Sequence, residues 1–298
     1  MNVPMWTEAC QREAQRVVHA SLGEDLGERG DLTSTLVMRC RGKDAGAMRA
    51  AVVAREEGVL AGVRTAAIVA AAVGATWEPM LDDGSPLSPG SVVGRLHGPS
   101  VGVLAGERTL LNLLGVLCGT ATTTRRFVDL VAGTRVCICD TRKTLPGLRR
   151  LQKFAVGCGG GTPHRMGLHD AVLVKDNHLA GLDPAGIADL ARRLSPEARA
   201  ADAAFIEVEV DGLDQLDALL DLPALTIDMV LLDNFDPAML REAVARRDAR
   251  APELLLEASG GVRLDTVATI AATGVDRISV GALTHSVRSL DLGLDAQA

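Results

Sequence analysis

From Thr7 to Leu22 (TEACQREAQRVVHASL) apolar residues recur every three or four positions, the spacing of an amphipathic helix, and the Gly- and Asp-rich stretch GEDLGERGDLTS (23–34) breaks it. Between Met48 and about Leu96 come short β-branched runs, RAAVVARE and SVVGRLHG. They surround an alanine-rich helix and the turn DDGSPLSPG, which predicts a small α/β sandwich. The next segment, Glu107 to Phe127, keeps apolar residues at helical spacing with polar ones opposite, so it predicts one long connecting helix.

Beyond it the pattern repeats. VCICD (136–140), AVLVKDN (171–177), FIEVEV (205–210), DMVLLDN (228–234), ELLLEASGG (253–261) and RISVGA (277–282) are each a short apolar run ending in a polar residue or glycine. Their endpoints Asp140, Lys175, Glu209, Asp233, Ser259 and Gly281 lie 35, 34, 24, 26 and 22 residues apart, room for a helix between successive parallel strands. The fold class is therefore α/β: an N-terminal α/β sandwich over residues 1–119 and an irregular, incomplete TIM-like α/β barrel over 120–285. The tail, 286–298, is expected to pack on the first domain. In such a sheet the loops at the carboxyl ends of the strands build the site.

Composition narrows the function. The chain has 298 residues, 47% of them apolar and 23% charged, with a net charge of −7, ordinary for a folded globular protein. Its longest uncharged apolar stretch, Ala66 to Ala75, is shorter than the roughly 20 residues that cross a bilayer, and Glu8, Arg12 and Glu13 interrupt any signal-peptide pattern. A cytoplasmic location is expected. The six cysteines form no CxxC pair, so reduced thiols are expected. An acidic chain with no Tyr, four Phe and two Trp is a poor candidate for nucleic-acid binding.

Charge is distributed unevenly. There are 27 Arg but only four Lys, and three of these, Lys143, Lys153 and Lys175, fall within 33 residues. The window Arg135 to His178 carries +5 and the remainder −12, a basic island suited to a small anion rather than a polyanion. The strand ends themselves split by sign. Arg142, Lys143, His164, Arg165 and Lys175 are basic, whereas Glu209 and Asp233 are acidic. The first set suits carboxylates and phosphates; the second suits sugar hydroxyls or Mg²⁺ held through water. The alternative is that strand-end neighbours such as Lys175 and Glu209 simply neutralise each other. Two glycine loops, CGGG (158–161) and SGG (259–261), and Gly281 could offer backbone donors to a phosphate, although none matches a Walker A or GxGxxG pattern. Of six histidines, His164 and His285 alone sit where they can reach a barrel mouth, and His164, His169 and His178 lack the close helical pairing of a zinc site.

DTRKTLPGLR (140–149), KFAVGCGGGTPHRMGL (153–168), LVKDNH (173–178), EVEVDGLDQL (207–216), LLDNF (231–235), EASGG (257–261) and GVDRISVGALTHS (274–286) resemble the quinolinate phosphoribosyltransferase family, the carboxylating nicotinate-nucleotide pyrophosphorylases. So do GEDLGERGDLTS (23–34) and GERTLLNLLGVLCGTAT (106–122), and together they span nearly the whole chain in order. The resemblance implies that quinolinate and 5-phosphoribosyl 1-diphosphate give nicotinate mononucleotide, carbon dioxide and pyrophosphate, with Mg²⁺ as cofactor. It implies an obligate homodimer in which Arg108 reaches the neighbouring subunit's site. Arg142, His164, Arg165 and Lys175 would hold the pyridine dicarboxylate. Lys143, Glu209, Asp233, Ser259, Gly260, Gly281 and His285 would hold the phosphoribosyl diphosphate and its metal, and Thr141, Gly261, Val280 and Ala282 are further candidate substrate-binding residues. Lys143, Lys175, Glu209 and Asp233 are the candidate catalytic residues, with Glu209 and Asp233 holding Mg²⁺ through water.

Two positions depart from the family pattern. Pro163 stands where Asn is common, which removes a backbone donor and predicts a differently shaped loop before His164 and Arg165. Gly157 stands where a larger residue is common. Three other functions are compatible with the residues: a same-fold transferase for another pyridine or aromatic carboxylate, a non-catalytic binder of phosphorylated metabolites, and a lyase or isomerase using Lys175 as a Schiff-base amine.

Overall fold

A computed structural model describes residues 4–41 and 46–297. In chain order the elements are α1 (Glu8–Leu26), α2 (Leu32–Cys40), β1 (Ala47–Ala54), β2 (Gly58–Val59), α3 (Val63–Ala72), β3 (Thr76–Pro79), β4 (Pro86–Leu87), β5 (Val92–Pro99) and α4 (Ser100–Leu130). Then follow β6 (Cys137–Cys139), α5 (Arg149–Cys158), β7 (Val172–Val174), α6 (Asp176–Leu179), α7 (Pro184–Ala200), β8 (Ile206–Val210), α8 (Leu213–Leu220) and β9 (Met229–Asp233). The series ends with α9 (Pro237–Arg250), β10 (Leu255–Ser259), α10 (Val267–Ala271), β11 (Arg277–Ser279), α11 (Ala282–His285) and β12 (Leu292–Gln297). The chain divides into two compact units, residues 1–125 with 144–160 and 283–298, and residues 126–143 with 161–282.

The first unit holds a four-stranded antiparallel sheet in the order β12-β1-β5-β3. Val52 pairs with Leu294 on one side of β1 and with Gly94 on the other. Its helices begin on side-chain caps: Thr7 Oγ1 accepts from Cys10 N at 3.2 Å, and Asp31 Oδ1 accepts from Ser34 N at 2.9 Å. The predicted break after Leu22 lies further on. α1 absorbs Gly23 and stops at Gly27, whose φ is +47°, because Leu22 packs into the core and Leu26 against it, outweighing one poor helix former. α4 is likewise longer than its apolar pattern. It starts at Ser100, and among the described residues it is the one helix long and apolar enough to cross a membrane by length and composition. Glu107 and Arg108 interrupt the uncharged run without interrupting the helix. Leu110, Leu114 and Leu117 are nonetheless fully buried in the unit's apolar clusters.

Gly157, one of the two family departures, lies on α5, where a Cβ would stand 2.5 Å from Cγ of Pro4. The missing side chain is what lets the N-terminal segment lie against this helix.

The second unit is a six-stranded parallel sheet in the order β6-β11-β10-β9-β8-β7, a partial α/β barrel whose edges are β6 and β7. All six predicted strands are present. An Asp-Pro pair starts two of the covering helices. Asp183 caps α7 by accepting from Gly186 N, and Asp236 caps α9 by accepting from Ala238 and Met239 N; Pro184 and Pro237 follow at the first turn. Along the strands the residues alternate. Val208, Val210, Val230, Leu232, Leu256, Ala258 and Ile278 are buried apolar residues, and those between them belong to the opposite face.

Arg247 ties this unit together at the other end of its strands. Fully buried on α9, it donates to Asp276 Oδ2 at 2.6 Å and to Leu254 O at 2.7 Å, and Asp276 also accepts from Leu256 N. Arg247→Ala leaves that carboxylate with only the exposed Arg135, 3.2 Å away, as its counter-charge, and opens a cavity where the buried side chain stood. The variant is expected to lose about 3 kcal/mol of stability, read as a lowered urea midpoint at unchanged slope.

Candidate active site

A cavity of about 550 Å³ opens at the carboxyl ends of the barrel strands, within the size range of small-ligand sites. Three loops deliver the cations. After β6 come Thr141, Arg142 and Lys143, with Lys143 N donating to Thr141 Oγ1 at 3.0 Å. After β7 comes Lys175. His164 and Arg165 arrive on the segment between α5 and β7. Opposite in sign, Glu209 is the last residue but one of β8 and Asp233 ends β9, and the neutral Ser259 ends β10. These nine predicted residues line one cavity. Lys175 Nζ and Glu209 Oε2 form an ion pair, so the neutralisation expected of strand-end neighbours does occur, but within the cavity wall. Arg108 on α4 and His285 on α11 belong to the other compact unit. A larger groove, about 890 Å³ and lined mainly by apolar and uncharged residues of α1 and α3, carries none of the predicted residues.

The segment bearing His164 and Arg165 is pinned at intervals along its length. Thr162 N donates to Ile138 O at 2.8 Å, His164 N to Asp140 Oδ1 at 2.8 Å, and Gly167 N to Asp170 Oδ1 at 3.0 Å. Thr162 thereby bridges Cys139 beside β6. Pro163 falls between two donors, where a strand-like segment points its nitrogen away from β6, so this bridge survives the missing N–H.

Arg142 and Arg165 converge. Burial, and next the charge of Arg142, hold Arg165 below the ordinary arginine value. Among the described residues neither guanidinium has an ion-pair partner, and Arg142 Nε is buried without a hydrogen bond. Two adjacent cations with no direct ion-pair partner are a receptor for a diacid, even though Glu207 and Asp170 act on Arg165 at longer range. On the acidic side, Asn234 sits in the left-handed region at φ +56° and its Nδ2 donates to Asp233 Oδ2 at 2.7 Å. Gly260, at φ +98°, makes room for it: a Cβ there would stand 2.1 Å from Asn234 Oδ1. Gly261, Val280, Gly281 and Ala282 follow the ends of β10 and β11 without lining the cavity.

Beneath the rim lies a set of buried charges that the apolar-run reading passed over. Glu207, Glu257 and Arg277 each precede a strand-end residue, Glu209, Ser259 or Ser279, by two positions, and so share its face one step deeper. That spacing, as in EVE of FIEVEV, was the available signal. His164 Nε2 lies 3.1 Å from Glu207 and 3.3 Å from Glu257, and Arg277 Nε donates to Glu257 Oε2 at 2.7 Å. Phe205 packs edge-on against the imidazole at 5.3 Å. Arg165 N donates to His164 Nδ1 at 2.7 Å.

Burial alone would push the imidazole down, but the hydrogen bonds and charges of Glu207 and Glu257 outweigh it and raise His164 to about 9. Burial raises Glu207 also, aided by Glu257; Glu257, between His164 and Arg277, is held below the usual value despite its burial. The set is neutral when His164 and Glu207 share one proton. Unfolded, that pair releases the proton near the ordinary histidine value of 6.5; folded, it keeps it to about 9. The stabilisation, roughly 3 kcal/mol, is therefore complete below pH 6.5 and lost as pH rises through 9. Urea midpoints measured from pH 6 to 10 are expected to fall across this window, and to fall much less in His164→Gln.

The family models for quinolinate phosphoribosyl transferase match residues 31–118 (N-terminal domain) and 120–295 (C-terminal domain). A nicotinate-nucleotide pyrophosphorylase [carboxylating] of Mycobacterium leprae is 50% identical over 215 residues, 72% of this chain and 73% of that protein. A probable enzyme of the same name from Methanocaldococcus jannaschii is 35% identical over 288 residues, covering 95% of this chain and 96% of its own. The solved nicotinate-nucleotide pyrophosphorylase of Francisella tularensis superposes with a TM-score of 0.86 at 33% identity, covering 100% of this chain and 99% of its own.

Proposed function

We propose that the barrel mouth of this chain, which belongs to the quinolinate phosphoribosyltransferase family, joins quinolinate to 5-phosphoribosyl 1-diphosphate and releases carbon dioxide and pyrophosphate. The chain is thus a pentosyltransferase of the carboxylating nicotinate-nucleotide pyrophosphorylase type. The observation that carries the reading is the pair of guanidiniums without a direct ion-pair partner, Arg142 and Arg165, in the same cavity as Glu209 and Asp233.

Arg142 and Arg165 bind the two carboxylates of the pyridine, with Lys175 beside them, and so aim the ring nitrogen at the anomeric carbon of the ribose. Lys143 meets the diphosphate. The nitrogen–carbon bond forms as the bond from that carbon to the diphosphate oxygen breaks and its electron pair leaves with pyrophosphate. Positive charge builds on the ribose, and Glu209 and Asp233 stabilise it through the sugar hydroxyls. The ring is then cationic, and it accepts the electron pair left at its C2 carbon when carbon dioxide departs. A proton from solvent completes the product. No covalent enzyme intermediate is needed, so catalysis is positioning and electrostatics.

Mg²⁺ fits the residues present. Glu209 and Asp233 also line a neighbouring cavity of about 250 Å³ with Asp176 and Asp211, an all-oxygen donor set without thiol or imidazole. When bound, the ion would neutralise charge on the diphosphate. A homodimer with Arg108 completing the partner's site is part of the same proposal.

Formation of nicotinate mononucleotide from quinolinate and 5-phosphoribosyl 1-diphosphate with Mg²⁺ tests the reading. Arg165→Ala is expected to lower kcat/KM for quinolinate by about 10²-fold or more, and full activity in that variant would remove the diacid clamp. The shared site has its own test. Arg108→Ala and Arg165→Ala chains are each expected to be nearly inactive, yet unfolding and refolding them together should restore about a quarter of the wild-type activity. Half the dimers are then mixed, and each mixed dimer holds one intact site.

A further inference from the structure

The resemblance assigns His164 to the pyridine dicarboxylate itself, yet both of its ring nitrogens are already engaged. Nε2 faces Glu207 and Glu257, and Nδ1 lies 2.7 Å from the backbone N of Arg165, accepting from it in the form where the shared proton rests on Glu207. The side chain is only 6% exposed and its ring is covered by Phe205. We propose that Glu207 and Glu257 are positioning residues for the diacid clamp: they grip His164 from inside the barrel, and His164 fixes the backbone that presents Arg165. This rests on the barrel mouth being the quinolinate site.

The geometry gives three reasons. The two glutamates stand on different strands, β8 and β10, so the ring is held from two directions and cannot pivot on one contact. Their own orientation is fixed by the sheet, and Glu257 is further held by Arg277 on β11. The chain around His164 is the segment between α5 and β7, which among the described residues bridges β6 at Thr162. With His164 N bound to Asp140 and its ring bound to the glutamates, the residue becomes a peg through which the segment is registered on the barrel. Arg165 is the next residue along, so a displaced peg would move the guanidinium. A misplacement of about 1 Å at a binding group is enough to lose rate steeply.

The same three side chains have donor atoms within 4.8 Å of one another and could in principle clasp a metal ion. The charge balance speaks against it. Arg277 already neutralises Glu257, and His164 shares a proton with Glu207, so a divalent ion would bring excess charge into a buried site.

Glu207→Gln and Glu257→Gln keep the shape of each side chain and remove its charge. In both, KM for quinolinate is expected to rise ~10- to 100-fold while KM for 5-phosphoribosyl 1-diphosphate changes less than about twofold. Equal changes in both KM values, or unchanged kinetics, would overturn the assignment. Should either variant fail to fold, the wild-type protein carries the test. Ring ¹⁵N spectra are expected to show His164 holding its charge state from pH 6 to 8, against Glu207, Glu257, Arg277, Arg165, Asp140 and Asp170 around it. A midpoint near 6.5 would show that the carboxylates do not hold the ring. Tightly retained, stoichiometric metal in the purified protein, lost in Glu207→Gln, would replace the peg with a metal centre. A wild-type chain that folds and keeps the His164 signature but does not turn over quinolinate would instead refute the proposed reaction and leave the peg standing.

Discussion

Two glutamates and an arginine facing the inside of a barrel can be kept there only as part of a neutral set, since an unpaired buried charge costs several kcal/mol. Here the balance is closed by a group from outside the strands. Arg277 answers Glu257, and the remaining negative charge of Glu207 is met by a proton shared with His164. The strands thus demand the imidazole as much as the imidazole needs the strands. Because the residue after His164 is Arg165, a requirement of the barrel floor sets the position of a group at its rim.

Above that floor the rim keeps opposite charges apart. Among the described residues Arg142 and Arg165 form no ion pair, while Asp233 accepts a hydrogen bond from Asn234. A protein that needed only stability would pair these groups. Leaving them unpaired favours a ligand that brings two acids to one side and a sugar to the other. The pair that is made, Lys175 with Glu209, belongs to the wall of the same cavity.

Much of this could be read from the residues alone, and what could not has physical causes. The six strands were visible because each is an apolar run closed by a polar residue, and the carboxyl-end rule then located Lys175, Glu209, Asp233 and Ser259 together. The floor stayed hidden because Glu207 and Glu257 lie within those runs, where a continuous apolar template masks the two-residue alternation. Asn234 was overlooked because its importance lies in a left-handed backbone that spacing does not reveal. Helix ends shifted for a simpler reason. Gly23 and the pair Glu107–Arg108 look like interruptions, but packed leucines on either side hold the helices through them.

The antiparallel sheet of the first unit bears on how the chain folds as it is made. Its strand β1 is bordered by β5 and by β12, which lies some 240 residues downstream. A nascent chain leaving the ribosome has every barrel strand available before the segment that covers this edge exists. Until residues 292–297 emerge, one side of β1 presents unpaired backbone groups, the kind of edge on which strands of other chains can seat. The vulnerable moment in synthesis therefore belongs to the domain translated first.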